Sequence, residues 1–272
     1  MAIYRNTTYD MEHSNTIEIP EFIVELESYL NNLLLFLKEE NLDVESYATS
    51  LTETFLSKIK KESFSIVLPP LDDDKGQLAL FPELREKYIV FCLSLLDIRF
   101  EEDTIPEKPV EISFYNILKS KLLSAYVLVS NLTSITSYDE TIRLFQEYMD
   151  IRVETDPTLE FILDKVDYML EGAKILYGKT HLFTSKMAKD GVAVWKAEKC
   201  MWHEILKPSQ DSNFAYAVAC HADFKMAKKL NPNFTLTRTR HLFSVLLTVI
   251  FVGTTRGRLQ PLITLPKPFG TI

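Results

Sequence analysis

The sequence predicts an α+β fold: a helical N-terminal layer, then a small C-terminal antiparallel sheet with one helix packed on it. Three observations carry this expectation. Glycine is scarce, with 7 in 272 residues, while leucine and charged residues are common, which disfavours a glycine-rich nucleotide fold. Apolar residues recur at helical spacing over the first half of the chain. After Gly191 the patterning changes to short alternating runs, as strands require.

Taken in order, residues 1–17 read as a loose polar arm. From Ile19, a broad apolar face of Phe22, Ile23, Leu26, Tyr29, Leu30, Leu33, Leu34 and Leu37 predicts a helix, and Pro20 is tolerated in its first turn. A second helix is expected over Val44–Ile59. The stretch SIVLPPLDDDKGQ (65–77) breaks the pattern with two prolines and an acidic turn. That break suggests a helical N-terminal extension or lobe over 1–80 and a main domain over 81–272. Pro82–Leu96 is expected to be helical, with Cys92 on an apolar face as a small buried hydrophobe. After a proline-rich loop at 105–109, Ile112–Asn131 predicts a helix crossing the core. Ser137, three residues before Glu140, makes a capping box for a helix to about Met149. Asp156-Pro157 opens the next helix, through Phe161, Ile162, Val166, Met169 and Leu170. Val192–Ala197 has the alternation of a short strand, Ser212–Leu230 reads as one helix ending at Asn-Pro, and Phe234–His241 as a half-buried strand with Phe234 and Leu236 inward.

Composition excludes several functions. The net charge is −8, from 30 basic and 38 acidic residues, with no basic run, so a nucleic-acid partner is not expected. The apolar run Leu242–Val252 falls well short of the ~20 residues a membrane helix needs. The N-terminus is polar and acidic, unlike a signal peptide. Three widely separated cysteines read as reduced thiols, and a cytoplasmic location is expected.

The residues able to carry chemistry gather between Lys199 and Thr239, where C-M-W-H and C-H-A-D flank a short polar connection. On a continuous helix Cys220 and Asp223 would share a face, with His221 turned roughly 100° away. Cys220 is a candidate nucleophile. Asp223 alone would raise its pKa, so activation needs His203, Arg238 or Arg240 beside it. The alternative is a buried cysteine with Asp223 serving as a cap or pair. Cys200, His203, Cys220 and Asp223 have the ligand arithmetic of a zinc site, so a divalent metal is an alternative, although the sequence requires no cofactor. Trp202 could wall a small-molecule pocket or pack on the core. Arg238 and Arg240 could hold a carboxylate bidentately or lie solvated over the sheet. His13, His181 and His241 belong to no constellation, and no phosphate-binding loop, G-x-S-x-G elbow or H-E-x-x-H is present.

At these same residues the sequence resembles the L-2-amino-thiazoline-4-carboxylic acid hydrolase family. The resemblance rests on KCMWHEILK (199–207) and FAYAVACHADFKMAKKLNPNFTLTRTRHLFS (214–244), and more weakly on the stretch from about 109 to 149. It implies a hydrolase that opens the cyclic amidine of a 2-aminothiazoline-4-carboxylate to give S-carbamoyl-cysteine. Cys200, His203, Cys220, Asp223 and Arg238 match the family's recurring polar positions, whereas His221 departs from them. In an intact site, side-chain chemistry suggests that Arg238 or Arg240 would clamp a small carboxylate, that Asp223 or His203 would activate water, or that Cys220 would attack the amidine carbon. The rival reading is a small-molecule-binding or regulatory module without turnover.

Past Ser244 the resemblance breaks. The family continues with a segment like G-x-P-Y-C-D-F-C-x-H-D, whereas this chain runs VLLTVIFVGTTRG over 245–257. One nucleotide sequence read in two frames spells both P-Y-C-D-F-C-W-H-D-T and the L-T-V-I-F-V-G-T-T found at 247–255, which points to a frameshift close to Val245. The expected consequences are loss of whatever those cysteine and histidine residues do, an inactive form of the hydrolase, and an apolar run still able to pair as a strand.

Overall fold

The computed structural model describes residues 3–7, 9–59, 66–71, 76–98, 100, 104–106, 108–156, 179–189, 192–209, 211–230, 232, 234–240 and 248–253. Its architecture is α+β, with a helical N-terminal region and two antiparallel sheets. The helical part comprises α1 (Ile19–Glu39), α2 (Val44–Lys58), α3 (Pro82–Ser94), α4 (Phe114–Asn131) and α5 (Tyr138–Thr155). The large sheet is built from β1 (Ile3–Asn6), β4 (His181–Lys189), β5 (Val192–Cys200), β6 (Phe234–Arg240) and β7 (Thr248–Gly253), in the order β1-β4-β5-β7-β6. A two-stranded sheet pairs β2 (Ser14–Ile17) with β3 (Val110–Ser113). Three short α-helices, α6 (Met201–Leu206), α7 (Ser212–Ala219) and α8 (Ala222–Leu230), and two 3-10 turns at Leu78–Leu80 and Leu132–Ser134 complete the described elements.

Helix α1 buries the face its spacing marks out, from Ile19 and Phe22 to Leu37. It ends at Asn41, whose φ of 58° is the left-handed conformation that asparagine tolerates, so that Leu42 N–H reaches back to the Leu37 carbonyl. Asp43 then caps α2 by accepting from the Ser46 N–H. Ser137 caps α5 by accepting from the Glu140 N–H. The Glu140 carboxylate turns to Arg143 rather than back to the cap, so one arm of the capping box serves an ion pair.

One continuous core draws on α1 to α5, α6 and α7, running from Ile19 to Val218, and residues on both sides of position 80 share it. Several polar groups inside it are matched, although Thr141 Oγ1 on α5 is buried without a hydrogen-bond partner. Tyr47 Oη donates to the Leu128 carbonyl at 2.9 Å, and Asn131 bridges Ser50 and Thr54 between α4 and α2. Glu27 on α1 receives Arg85 of α3, which also donates to the Pro69 carbonyl and so ties down the segment before α3. Asn31 accepts from the Leu78 N–H at 3.0 Å, a second tether of the same connection. Cys92 is fully buried in α3, as its apolar surroundings in sequence suggest.

Four expectations are corrected. The arm at 1–17 contributes two strands: β1 joins the edge of the large sheet against β4, and β2 pairs with β3, which precedes α4. Both are four residues long, too short for periodicity to mark them, and their partners are distant in sequence. The large sheet begins at His181, ahead of Gly191, and β5 continues to Cys200. Helix α5 extends past Met149 to Thr155. The segment Ser212–Leu230 is two helices, interrupted at Cys220 (φ −130°, ψ −20°), where the Cys220 and His221 N–H groups both bond the Tyr216 carbonyl. No proline or glycine forces this break. Both halves pack on α5, but α7 also packs on α4 and α8 on β6. The helix expected over 157–170 lies outside the described residues.

Strand β7 comes from the apolar run after Ser244. It inserts between β5 and β6, with Ile250 opposite both Val194 and Thr237. Among the described residues no helix is long and apolar enough to cross a membrane.

Candidate functional site

The candidate site is assembled where β5 passes without a loop into α6. Cys200 ends the strand and precedes the first helical residue, and the Met201 N–H bonds the Thr180 carbonyl at 2.9 Å. That bond ties the start of α6 to the start of β4, where His181 pairs in register with Cys200. Met201, Ile205 and Leu206 anchor α6 in the core against α4, which leaves Trp202, His203 and Glu204 half-buried around its other side.

His181 is almost wholly buried, edge-on to the Trp202 ring at a centroid distance of 5.3 Å, and its Nδ1 lies 2.8 Å from Thr180 Oγ1. Burial pushes its pKa down to about 3, so it is a neutral imidazole at any physiological pH. Trp202 therefore packs against the sheet rather than forming an isolated pocket wall. The Cys200 thiol is also buried. The backbone N–H groups of His203 and Trp202 favour its thiolate, but burial dominates, and with the charges of Asp223 and Glu204 it drives the pKa up to about 12. Cys200 is thus a protonated thiol in the resting protein, unlike an activated nucleophile.

His203 sits in the opposite situation to a charged histidine. Burial and then the Lys207 ammonium lower its pKa, with Glu204 opposing, so it is neutral and able to accept a proton at neutral pH. Glu204 is engaged on both oxygens. Tyr9 Oη donates to Oε2, and Lys199 Nζ lies 3.2 Å from Oε1 while also standing 4.0 Å over the Tyr9 ring.

The second motif is split by the break between α7 and α8. Cys220 is half-buried at the end of α7, and Asp223 occupies the first turn of α8, so the two do not share a helical face. Asp223 acts on Cys200 instead, since its charge contributes to raising that thiol. His221, turned away from Cys220 and Asp223 in the sequence reading, pairs through Nε2 with Asp150 Oδ1 of α5 at 3.1 Å. Further along, Lys225 pairs with Glu154, and Lys229 donates to the Val153, Glu154 and Asp156 carbonyls at the end of α5. Cations belong at that terminus, because the last carbonyls of a helix lack internal partners. The row fixes α8 onto α5, with Asp223 two residues beyond His221.

Arg238 and Arg240 lie on β6, opposite Val249 and Thr248, with a register shift between them. Two residues of β6 thus span one step of β7, and the plain alternation expected along this strand is interrupted. His241 lies outside the described residues. Among the described residues no group of three or more His, Cys, Asp or Glu side chains converges to hold a metal ion. The four-residue metal alternative of Cys200, His203, Cys220 and Asp223 is therefore set aside. Its spacing suited zinc, but the halves sit on separate short helices.

Comparison with protein-family models, with curated proteins and with solved structures finds no match. The chemistry of the site has to be argued from its own residues.

Tyr9, Lys199, Glu204 and His181 were not among the residues expected to form the site. His181 begins a run, H-L-F-T-S-K-M, whose partial alternation could have marked a strand. For Tyr9 no local signal exists, since its partner Glu204 is 195 residues away.

Proposed function

We propose that this chain is a hydrolase-like protein for a C–N bond of a small cyclic amidine or related group on an amino-acid-like carboxylate, with His203 as the proton acceptor. One observation carries the reading: His203 is a neutral, half-buried imidazole on α6, beside a buried Cys200 thiol that also feels the charge of Asp223. The sequence likeness to aminothiazoline-carboxylate hydrolases suggests the substrate class, and the burial and charge around Cys200 and His203 support the division of roles.

In this scheme His203 takes a proton from water, and the resulting hydroxide adds to the amidine carbon. The bond from that carbon to the ring nitrogen then breaks, and the nitrogen leaves as an amine after receiving a proton. The atoms balance as substrate plus one water giving the S-carbamoyl amino acid. Cys200, held as a thiol, is suited to donating a weak hydrogen bond or filling space rather than attacking. Cys220, more exposed, stays the candidate for a covalent route. Arg238, with Arg240 as the alternate, is assigned to the substrate carboxylate because a guanidinium matches its two oxygens.

The test compares the chain as it stands with one whose residues after Ser244 follow the other reading frame. Each is assayed with 2-aminothiazoline-4-carboxylate alongside its His203→Gln and Asp223→Asn variants. Turnover in either form that falls ~100-fold or more in His203→Gln supports the proposal, in the range for loss of a general base. Turnover only in the reframed chain would mean that the site is intact while the final strand has lost its chemistry. Saturable binding with no product in both forms would replace the hydrolase with the binding module, and neither binding nor product would refute both.

A further inference from the structure

The N-terminal segment, a loose polar arm by its composition, passes close to the start of α6. Its two flanks are fixed, β1 by the large sheet and β2 by β3. Between them, the Asp10 N–H bonds the Lys179 carbonyl at 3.0 Å, and the His13 carbonyl accepts from the Phe114 N–H at 2.6 Å. Tyr9 is thereby held half-buried over α6, with its hydroxyl on Glu204 and its ring under Lys199.

We propose that Tyr9 is a positioning residue of this site: with Lys199 it fixes the Glu204 carboxylate against α6 and so sets the charge around His203. The N-terminal segment is then part of the working site rather than an appendage. The consequence for turnover rests on the hydrolase-like reading, but the electrostatic claim does not.

Three features support the assignment. Both Glu204 oxygens are occupied from outside α6, one from the N-terminal segment and one from the last turn of β5, so the carboxylate cannot swing without breaking two contacts. Tyr9 remains a donor throughout the working range, because burial and then the bonded Glu204 push its phenol well above the ordinary value. Glu204 is also the group that opposes the lowering of His203, so its placement is felt at the proposed base. The ionisable groups gathered around this helix are Glu204 on α6 and Lys207 just past its end, Lys199 and Cys200 on β5, Tyr9 on the N-terminal segment and Tyr115 on α4. Asp223 comes from α8 and His181 from β4. On α7 the one ionisable side chain is Tyr216. On α4, Lys121 is taken by Glu25 and Tyr126 by the Asp211 N–H, while Lys119 completes its ionisable set.

The test is an NMR titration of His203 in the full chain, for the wild type, Tyr9→Phe, Lys199→Met and Glu204→Gln. Tyr9→Phe keeps the ring and removes only the donor, so the fold is retained. Glu204 then carries less compensated charge, and the His203 midpoint is expected to rise by about half a pH unit, as it should in Lys199→Met. Glu204→Gln should lower it by a similar amount. In an active form, the acid limb of the rate profile should move with these midpoints, and kcat should fall several-fold in Tyr9→Phe with KM little changed. Midpoints identical in all four proteins would overturn the proposal, since packing alone leaves this titration unmoved. Absence of turnover in every form would sink the hydrolase reading, while the titration would still decide the role of Tyr9.

Discussion

The ion pair between Glu27 and Arg85 offers a quantitative test of how the helical layer is held together. Glu27 is 2% exposed, and the Arg85 side chain is 13% exposed. Arg85 Nε donates to Glu27 Oε1 at 2.7 Å, and Nη2 donates to the Pro69 carbonyl at the same distance. Arg85→Met strands a carboxylate inside the core and frees the Pro69 carbonyl. Breaking one side of a buried pair costs about 3–5 kcal/mol. Glu27→Leu leaves a guanidinium that keeps Pro69 and can reach water, so its cost should be smaller, about 2 kcal/mol, near the value of a charge-assisted hydrogen bond. The double variant removes both charges together and should be more stable than the sum of the singles implies by about 2 kcal/mol. Urea unfolding followed by far-UV circular dichroism measures all three. For a chain of this size Arg85→Met should lower Tm by ~6–15 °C. Strictly additive singles, or an Arg85→Met cost below ~1 kcal/mol, would refute the pairing.

Three smaller perturbations follow from the same structure. Ser137→Ala removes the cap of α5 and should cost about 1 kcal/mol, read from the urea midpoint, while Ser137→Asn should restore most of it. Tyr47→Phe removes a buried hydroxyl and leaves the Leu128 carbonyl without its donor, for a loss of ~1–2 kcal/mol on the same assay. His181 is neutral in the fold down to about pH 3 but takes up a proton near 6.5 when unfolded. The unfolded chain therefore binds more protons between those values, so stability should fall as pH drops from 6.5, by up to ~1.4 kcal/mol per unit. His181→Asn should flatten that component of the slope between pH 6.5 and 5, and an unchanged slope would contradict the burial.

Much of the helical layer was legible because helices write their packing into local spacing. The apolar positions of α1 and the cap at Ser137 are decisions made within a few residues. What escaped was set by distant partners. The strand Ile3–Asn6 pairs along the edge that β4 offers, and at the break at Cys220 the chain passes from α7, packed on α4 and α5, to α8, packed on α5 and β6. The candidate site divides along the same line. Cys200, His203 and Asp223 stood out by residue type and spacing, whereas Tyr9 and Asp150 enter only through long-range pairing with Glu204 and His221. The grouping of Cys220 with Asp223 failed for the same reason, because it assumed a continuous helix.

The most direct test of the central claim is incubation of the protein with 2-aminothiazoline-4-carboxylate in heavy-oxygen water, with mass spectrometry of the products. The account predicts S-carbamoyl-cysteine carrying one labelled oxygen on the carbamoyl carbon from the chain whose final segment follows the other reading frame, with formation suppressed in His203→Gln. Unchanged substrate from both reading frames of the final segment, or product that forms equally well without His203, would contradict it.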